Sequence, residues 1–349
     1  MSGLNTSLRQ ARRAKNDEFY TQRTDIEKEV RHYKVHFEGK TVYCNCDDPR
    51  VSEFTKLFLL KFESYGLRKL IATCYRNTNP DIFTLEAEER GASIMVADAE
   101  SAASGGVIET LDGDGDFRSA ECIELLKEAD IVVTNPPFSL FREYIAQLMA
   151  HDKKFLVVGN QNAITYKEIF PLIQSNALWL GITPKGQDML FDVPEGRAVE
   201  LVENGKDGSA YRVVNGVVKG RLGNAAWFTN LDHNRRHEPL LLWRRYAEEP
   251  ELFPKYDNYD AINIDKTADI PEDHDGPMGV PITFLDKYCP EQFEILGITD
   301  RGNAYGLKTK EYMPADTPEY GNLNRRGAIR ANGGLQSTYA RILIRRRRG

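Results

Sequence analysis

In the first half of the chain, apolar positions fall into short β-branched and aromatic runs separated by stretches with a helical repeat. This is the pattern of a parallel sheet covered by crossover helices. It predicts strands at Thr41–Asn45, Lys69–Cys74, Ser93–Ala97, Asp130–Thr134, Phe155–Gly159 and Leu178–Ile182. Between Val51 and Tyr65, the residues Phe54, Leu57, Phe58, Lys61 and Phe62 recur at spacings of three and four, which predicts a helix lying on the sheet. Ligands of an open parallel sheet bind beyond the carboxyl ends of its strands. Chemistry is therefore expected in Cys46–Arg50, Tyr75–Pro80, the residues from Asp98 onward, Asn135–Ser139 and Asn160–Asn162.

Beyond Ile182 the helical repeat fades while Gly, Pro, Asn and Asp become frequent. Asn215-Gly216, set between Val213-Val214 and Val217-Val218, is the signal of a two-residue hairpin turn. Further strands are expected at Ala225–Asn230, Leu240–Trp243 and Ala340–Ile344. The pattern divides the chain into a doubly wound α/β core at 1–182, with a further core strand suggested at 225–230, and a mostly β region at 183–349. No internal repeat is visible.

Composition narrows the class. The 349 residues are 41% hydrophobic and 28% charged, an ordinary globular mixture, and a net charge of −6 excludes a protein that coats nucleic acid indiscriminately. Five scattered cysteines without a Cys-x-x-Cys pair fit a reducing compartment. With neither an export signal nor an apolar stretch of about 20 residues, a soluble cytoplasmic protein with no membrane partner is expected. Charge is nonetheless uneven. Tyr246–Asp300 carries three Lys against fourteen acids, whereas Arg301–Gly349 carries eleven Lys and Arg against three. In the basic stretch, Tyr305, Tyr312, Tyr320 and Tyr339 are interleaved with arginines, a composition suited to phosphate and base contact. Arg345–Arg348 reads equally as a solvated tail.

The segment richest in chemistry is Ala129-Asp130-Ile131-Val132-Val133-Thr134-Asn135-Pro136-Pro137-Phe138. A buried strand runs straight into a turn whose two prolines fix φ and remove two donors. The Asn135 side-chain oxygen and the Pro136 carbonyl can accept both hydrogens of a planar amine, and Phe138 offers a face for stacking a base. An exocyclic purine amine is a poor nucleophile. Two acceptors that draw its hydrogens out of plane favour attack through nitrogen, by orientation and charge stabilisation rather than by a strong base. The methyl of a sulfonium is the matching electrophile.

This turn resembles the catalytic motif of S-adenosylmethionine-dependent amino-methyltransferases. Together with Asn16-Asp17-Glu18-Phe19-Tyr20-Thr21 and Gly115-Asp116-Phe117-Arg118-Ser119, it resembles the EcoRI-type adenine-specific DNA methyltransferase family and its phage-borne relatives, over most of the chain. Related enzymes usually carry Gly-x-Gly after the first strand, where this chain has Cys44-Asn45-Cys46-Asp47-Asp48-Pro49. The resemblance implies a Rossmann-like methyltransferase sheet, S-adenosylmethionine as cofactor, and Asn135, Pro136, Pro137 and Phe138 as the catalytic turn. It implies that Phe19, Tyr20 and Thr21 contact the methionine part of the cofactor. Asp48 and Pro49 then meet its ammonium or ribose, and Asp116 and Phe117 its adenine. Asp98 competes with Asp116, since it too follows a strand.

No metal is expected. His32/His36 and His233/His237 have helical pair spacing without a third ligand, and Asp112–Asp116 lacks the closing Glu of a calcium loop. If double-stranded DNA is the acceptor, the adenine must be flipped out against Phe138, and residues 183–349 form a target-recognition region. Arg235, Arg236, Arg325, Arg326 and Arg330 are its candidate DNA contacts. The resemblance further implies a restriction-modification or phage DNA-protection role, with a cognate restriction endonuclease as partner. The turn alone leaves open an RNA or protein-glutamine acceptor, and the altered cofactor loop leaves open a catalytically silent DNA-binding relative.

Overall fold

Eight strands form the main sheet of the computed structural model, which describes residues 20–21, 23–75, 92–183, 189–193, 195–203, 205, 211–222, 224–300, 307–331 and 333–347. In chain order they are Thr41–Cys44 (β1), Lys69–Cys74 (β2), Ser93–Ala97 (β3), Val107–Thr110 (β4), Ile131–Thr134 (β5), Lys154–Asn160 (β6), Trp179–Leu180 (β7) and Ala225–Thr229 (β8). Across the sheet the order is β4-β3-β2-β1-β5-β6-β8-β7. Strands β1 and β5 are buried at every residue, as central parallel strands covered on both faces must be.

The parallel part is confined to the centre, where β1 pairs with β2 and β5, and β5 with β6. Strands β3, β4 and β8 run antiparallel to their neighbours, so the expected parallel sheet is corrected to a mixed one. Hydrophobic pattern reports burial and not direction, which is why this was hidden. The β3–β4 link reverses the chain through Gly105 and Gly106, both at positive φ, and β4 itself is exposed along its whole length, leaving little pattern to detect.

The reversal places two candidate acids at opposite edges. Register pairs Leu70 with Ala97 and Cys74 with Ser93, so β3 ends where β2 begins. Asp98 therefore sits at the amino edge of the parallel strands, accepting from its own turn at Ser101. Gly115, by contrast, packs on the Cys74 carbonyl at the carboxyl edge, with φ +75° and no room for a side chain. Asp116 follows it there.

Four helices concern the site: Arg23–Val30 (α1), Glu53–Leu60 (α2), Ala120–Glu128 (α3) and Phe141–Ala150 (α4). Ser52 caps α2, its hydroxyl accepting from the Phe54 and Thr55 amides, and the buried face is Phe54, Thr55, Leu57 and Phe58. The helix stops short of Tyr65 because turns ending at Gly66, φ +64°, carry Phe62 and Tyr65 into the same core. A smaller antiparallel sheet joins Tyr20–Thr21, Met189–Asp192, Val217–Leu222 and Tyr211–Val214. Its hairpin turns at Asn215-Gly216, both at positive φ as the dipeptide predicts.

The chain divides into two compact units, Met1–Ala163 with Leu180–Leu231, and Ile164–Trp179 with Asp232–Gly349. The second contains a four-stranded sheet in the order Ile262–Asn263, Met278–Pro281, Arg341–Arg346, Phe293–Ile298, and a hairpin of Ala328–Ala331 with Gly334–Ser337. Arg341–Arg346 is an inner strand, with Ile342, Leu343 and Ile344 fully buried. Arg345 ion-pairs with Glu294, and Arg347 donates to the Pro290 carbonyl at 2.7 Å. The expected strand at Ala340–Ile344 is found, extended to Arg346, and the arginines that follow Ile344 are held by these contacts while Arg345 and Arg347 stay exposed; Tyr305 and Arg348 lie outside the described residues. The expected strand at Leu240–Trp243 is absent. Both backbone groups of Leu240 are met by the Gln292 side-chain amide, at 2.7 and 2.8 Å, which replaces a strand partner. Among the described residues, no helix is long and apolar enough to cross a membrane.

Gly115→Ala is expected to cost at least about 1–3 kcal/mol, since it forces a side chain into left-handed backbone and onto the Cys74 carbonyl. Urea denaturation checks this, and a loss below about 0.5 kcal/mol would mean the 111–119 loop has room to shift.

Candidate functional site

The carboxyl ends of β1, β2 and β5 meet around one carboxylate, Asp47. Its amide donates to the Thr73 carbonyl of β2 at 3.0 Å, tying the loop after β1 to the neighbouring strand. Its Oδ1 accepts from the Ser52 hydroxyl at 2.8 Å, and its Oδ2 from the Thr134 hydroxyl at the end of β5. The Asn135 backbone amide donates to it as well. Asp47 is buried, and desolvation pushes its carboxyl up to about 6 even though the donors from Thr134, Ser52 and Asn135 each favour the charged form. At neutral pH it is an anion held by hydrogen bonds, with no Lys or Arg among the described residues paired to it.

The loop that lacks Gly-x-Gly is thereby built from side chains. Asp48 Oδ1 accepts from the Arg50 amide at 2.9 Å, and its carbonyl accepts from the Ser52 amide at 2.8 Å. Pro49 is buried beneath them, and Asp48 remains half-buried at the surface. The Arg50 guanidinium reaches the Ser93 hydroxyl at 2.7 Å, linking the loop to β3.

Asp116 and Phe117 lie along the same edge. Arg118 binds both oxygens of Asp116, at 2.9 and 2.7 Å, and holds its carboxyl below the usual range. Phe117 is buried with its ring edge-on to Tyr144, centroids 5.1 Å apart. The Tyr144 hydroxyl donates to the side chain of buried Asn45, and Gln147 donates to the Phe117 carbonyl at 2.9 Å. Helix α4 thus braces the loop after β1 and the Asp116–Phe117 loop together.

Asn135 is half-buried at the end of β5, Pro136 is buried, and Phe138 packs its partly exposed ring against the main core. The Pro137 carbonyl accepts from Leu140 at 3.0 Å, which folds the turn directly into α4. There Phe141 rests on Gly159 of β6, where a side chain would collide with its ring.

Phe19 lies outside the described residues. Tyr20 and Thr21 form a short strand against Phe191 and Asp192. Two residues on, Arg23 ion-pairs with Glu53 at 2.7 Å, bringing this segment to the start of α2. The arginines all belong to the second unit and are differently placed. Arg236 is buried, its guanidinium 3.5 Å from the Trp179 ring centre and bonded to Asp232 and Asn176. Arg326 pairs with Asp300. Arg325 is exposed, Arg235 half-exposed, and Arg330 is 74% exposed although 3.2 Å from Asp257.

Asp47, Ser52, Thr134, Asn45 and Tyr144 were missing from the sequence-derived set. Ser52 was detectable as a cap before the periodic run. The others are ordinary residue types whose importance comes from partners 87 and 99 positions away.

The sequence family described as adenine-specific methyltransferase EcoRI matches residues 7–347. The chain is 48% identical over 305 residues to "Type II methyltransferase M.EcoRI" of Escherichia coli, covering 84% of this chain and 90% of that one. It is 37% identical over 347 residues to "Type II methyltransferase M.MpnI" of Mycoplasma pneumoniae, covering 97% of each. A third relative, "Type II methyltransferase M.MgeORF184P" of Mycoplasma genitalium, is 38% identical over 320 residues, covering 90% of this chain and 93% of that one. No solved structure matches.

Burial lets the folded state hold the Asp47 proton to higher pH than the unfolded chain does, so the stability from protonation is full below about pH 4 and lost as pH rises through about 6. The melting temperature of Asp47→Asn relative to the parent is therefore expected to rise between about pH 4.5 and 7.5. A difference that stays flat would show that this carboxyl does not titrate in that window.

Proposed function

The chain belongs to the EcoRI-type family of adenine-specific methyltransferases and is itself an adenine-specific DNA methyltransferase, and from that premise we propose which residues carry the reaction. The observation that supports the assignment most is the Asn135–Phe138 turn at the carboxyl end of β5, its backbone held by the Asp47 carboxylate of the adjacent strand. The acceptor is N6 of an adenine in a short sequence of double-stranded DNA, and the donor is S-adenosylmethionine. The setting is a type II restriction-modification pair with a cognate endonuclease.

The carboxyl edge fits the cofactor by the chemistry of its groups. Asp48 offers a half-buried carboxylate to an ammonium or ribose, and Asp116, with lone pairs beyond those Arg118 uses, can accept from an adenine amine. Phe117 supplies an apolar wall beside the ring. Tyr20 and Thr21, with Phe19 before them, border the methionine part. When bound, S-adenosylmethionine supplies an electrophilic methyl group on a sulfonium.

Phe138 stacks the flipped adenine, at a cost in unstacking of a few kcal/mol that stacking of about 1–3 kcal/mol per base partly offsets. Asn135 Oδ1 and the Pro136 carbonyl accept the two N6 hydrogens and turn the lone pair toward the methyl. Pro136 and Pro137 keep those acceptors from relaxing. Methyl transfer would leave positive charge on the amine nitrogen; the same acceptors would stabilise it, and the proton it then loses would pass to solvent.

Target recognition belongs to the region 183–349, chiefly the unit holding Asp232–Gly349. Exposed Arg325 precedes, and exposed Arg330 lies within, a two-stranded ribbon of a size that the major groove admits. Arg235 is a peripheral candidate. The Arg236 and Arg326 guanidinium groups are engaged inside the protein and position structure there.

Single-molecule sequencing of DNA from expressing cells is expected to show N6-methyladenine confined to one short motif. No mark on DNA would turn the search to RNA and protein-glutamine acceptors, and no cofactor binding would favour a silent relative. Asn135→Ala is expected to cut kcat by about 100-fold or more while calorimetric affinity for S-adenosylmethionine stays within about twofold; a normal rate overturns the catalytic assignment.

A further inference from the structure

Asp47 is a buried ionisable group that the reaction as described does not consume. It touches neither of the expected acceptor atoms. Yet Ser52 at the cap of α2, Thr134 at the end of β5 and the Asn135 amide all donate to it. Its own amide is spent on Thr73 of β2. A carboxylate accepts at roughly four sites over two oxygens, so these three donors nearly fill it.

We infer that Asp47 is a positioning residue for methyl transfer, locking the loop after β1 and the backbone of Asn135 into one unit so that cofactor and amine acceptors keep a fixed separation. This rests on the reading of Asn135 as the amine acceptor. The geometry explains how a loop without its usual glycines holds a defined shape: the constraint comes from a shared carboxylate rather than from close backbone approach. It also assigns a role to Thr134, whose hydroxyl transmits that constraint to the residue immediately before the turn. The anion accepts from all three donors with both oxygens charged, whereas the amide of an asparagine offers a single acceptor oxygen and an NH2 that faces a donor. The groups facing Asp47 are Cys44, Cys46 and Asp48 on its own segment, Tyr144 from α4, and the neutral Ser52, Thr134 and Asn135. No Lys or Arg among the described residues ion-pairs with it.

The test is a double-mutant cycle on the single-turnover rate, using full-length protein with S-adenosylmethionine and duplex DNA carrying the mapped motif. Asp47→Asn is expected to slow methyl transfer at least tenfold, with DNA affinity within about threefold. In the Asn135→Ala background the same change is expected to slow it less than twofold, because Asp47 acts through that turn. Equal losses in both backgrounds would overturn the inference, and so would an unaffected rate in Asp47→Asn. Should Asp47→Asn fail to fold, Thr134→Val removes one donor at nearly constant volume. It is expected to slow transfer severalfold in the parent and not in Asn135→Ala, and parallel losses again overturn the inference. A normal rate in Asn135→Ala alone would instead remove the catalytic assignment beneath it.

Discussion

A carboxylate taken out of water must be paid for with hydrogen bonds or a cation, and the centre of this sheet uses hydrogen bonds alone. An unpaired buried charge would be prohibitive. Bonds to a charged group recover about 1.5–3 kcal/mol each, and Asp47 receives them from Ser52, Thr134 and Asn135. Those donors come from the loop entering α2 and from the end of β5. None of the three can move away without leaving charge exposed to apolar surroundings, so the loop after β1 and the end of β5 are tied through one carboxylate. Orientation-based catalysis requires such a tie, since the proposed reaction has no strong base to compensate for loose geometry.

The same edge shows how side chains replace glycines. In Gly-rich cofactor loops the backbone itself approaches the ligand. Here Asp48 closes the turn onto the amides of Arg50 and Ser52, while Arg50 reaches across to Ser93. A parallel device holds the next loop, where Gly115 fits against the Cys74 carbonyl and Arg118 pins both oxygens of Asp116. Helix α4 then ties the two together through Tyr144, which meets Asn45 with its hydroxyl and Phe117 with its ring.

Charge in the second unit follows a different logic. Its acidic stretch and its basic terminus neutralise one another through Asp257 with Lys310 and Arg330, Asp265 with Arg341, Glu294 with Arg345, and Asp300 with Arg326. The exposed pairs among them, such as Arg345 with Glu294, are worth little individually. Their consequence is selective, because most arginines are oriented by an acid and few are left to meet phosphate or base. Arg325, just before the Ala328–Ser337 hairpin, and Arg330 within it are exposed, Arg330 at 74% despite its acid.

The linear pattern was enough for the positions of the buried strands, because a strand covered on both faces must be apolar throughout; β1, β2, β3 and β5 fall within a residue of expectation. It was enough for the Asn215-Gly216 turn and for the Asn135–Phe138 turn, since proline, glycine and asparagine impose local backbone geometry on their own. Direction was not legible: β3 looks like any other strand, and only its pairing with β2 moved Asp98 to the far edge and left Asp116 at the near one. The terminal strand was legible at Ala340–Ile344, but not its place inside a sheet, which pairing with Met278–Pro281 and Phe293–Ile298 decides. Asp47 was the largest omission. Local sequence determines what a residue can do to its own backbone, whereas the value of a buried carboxylate is set by donors 5 and 87 residues distant, and only the folded chain brings those together.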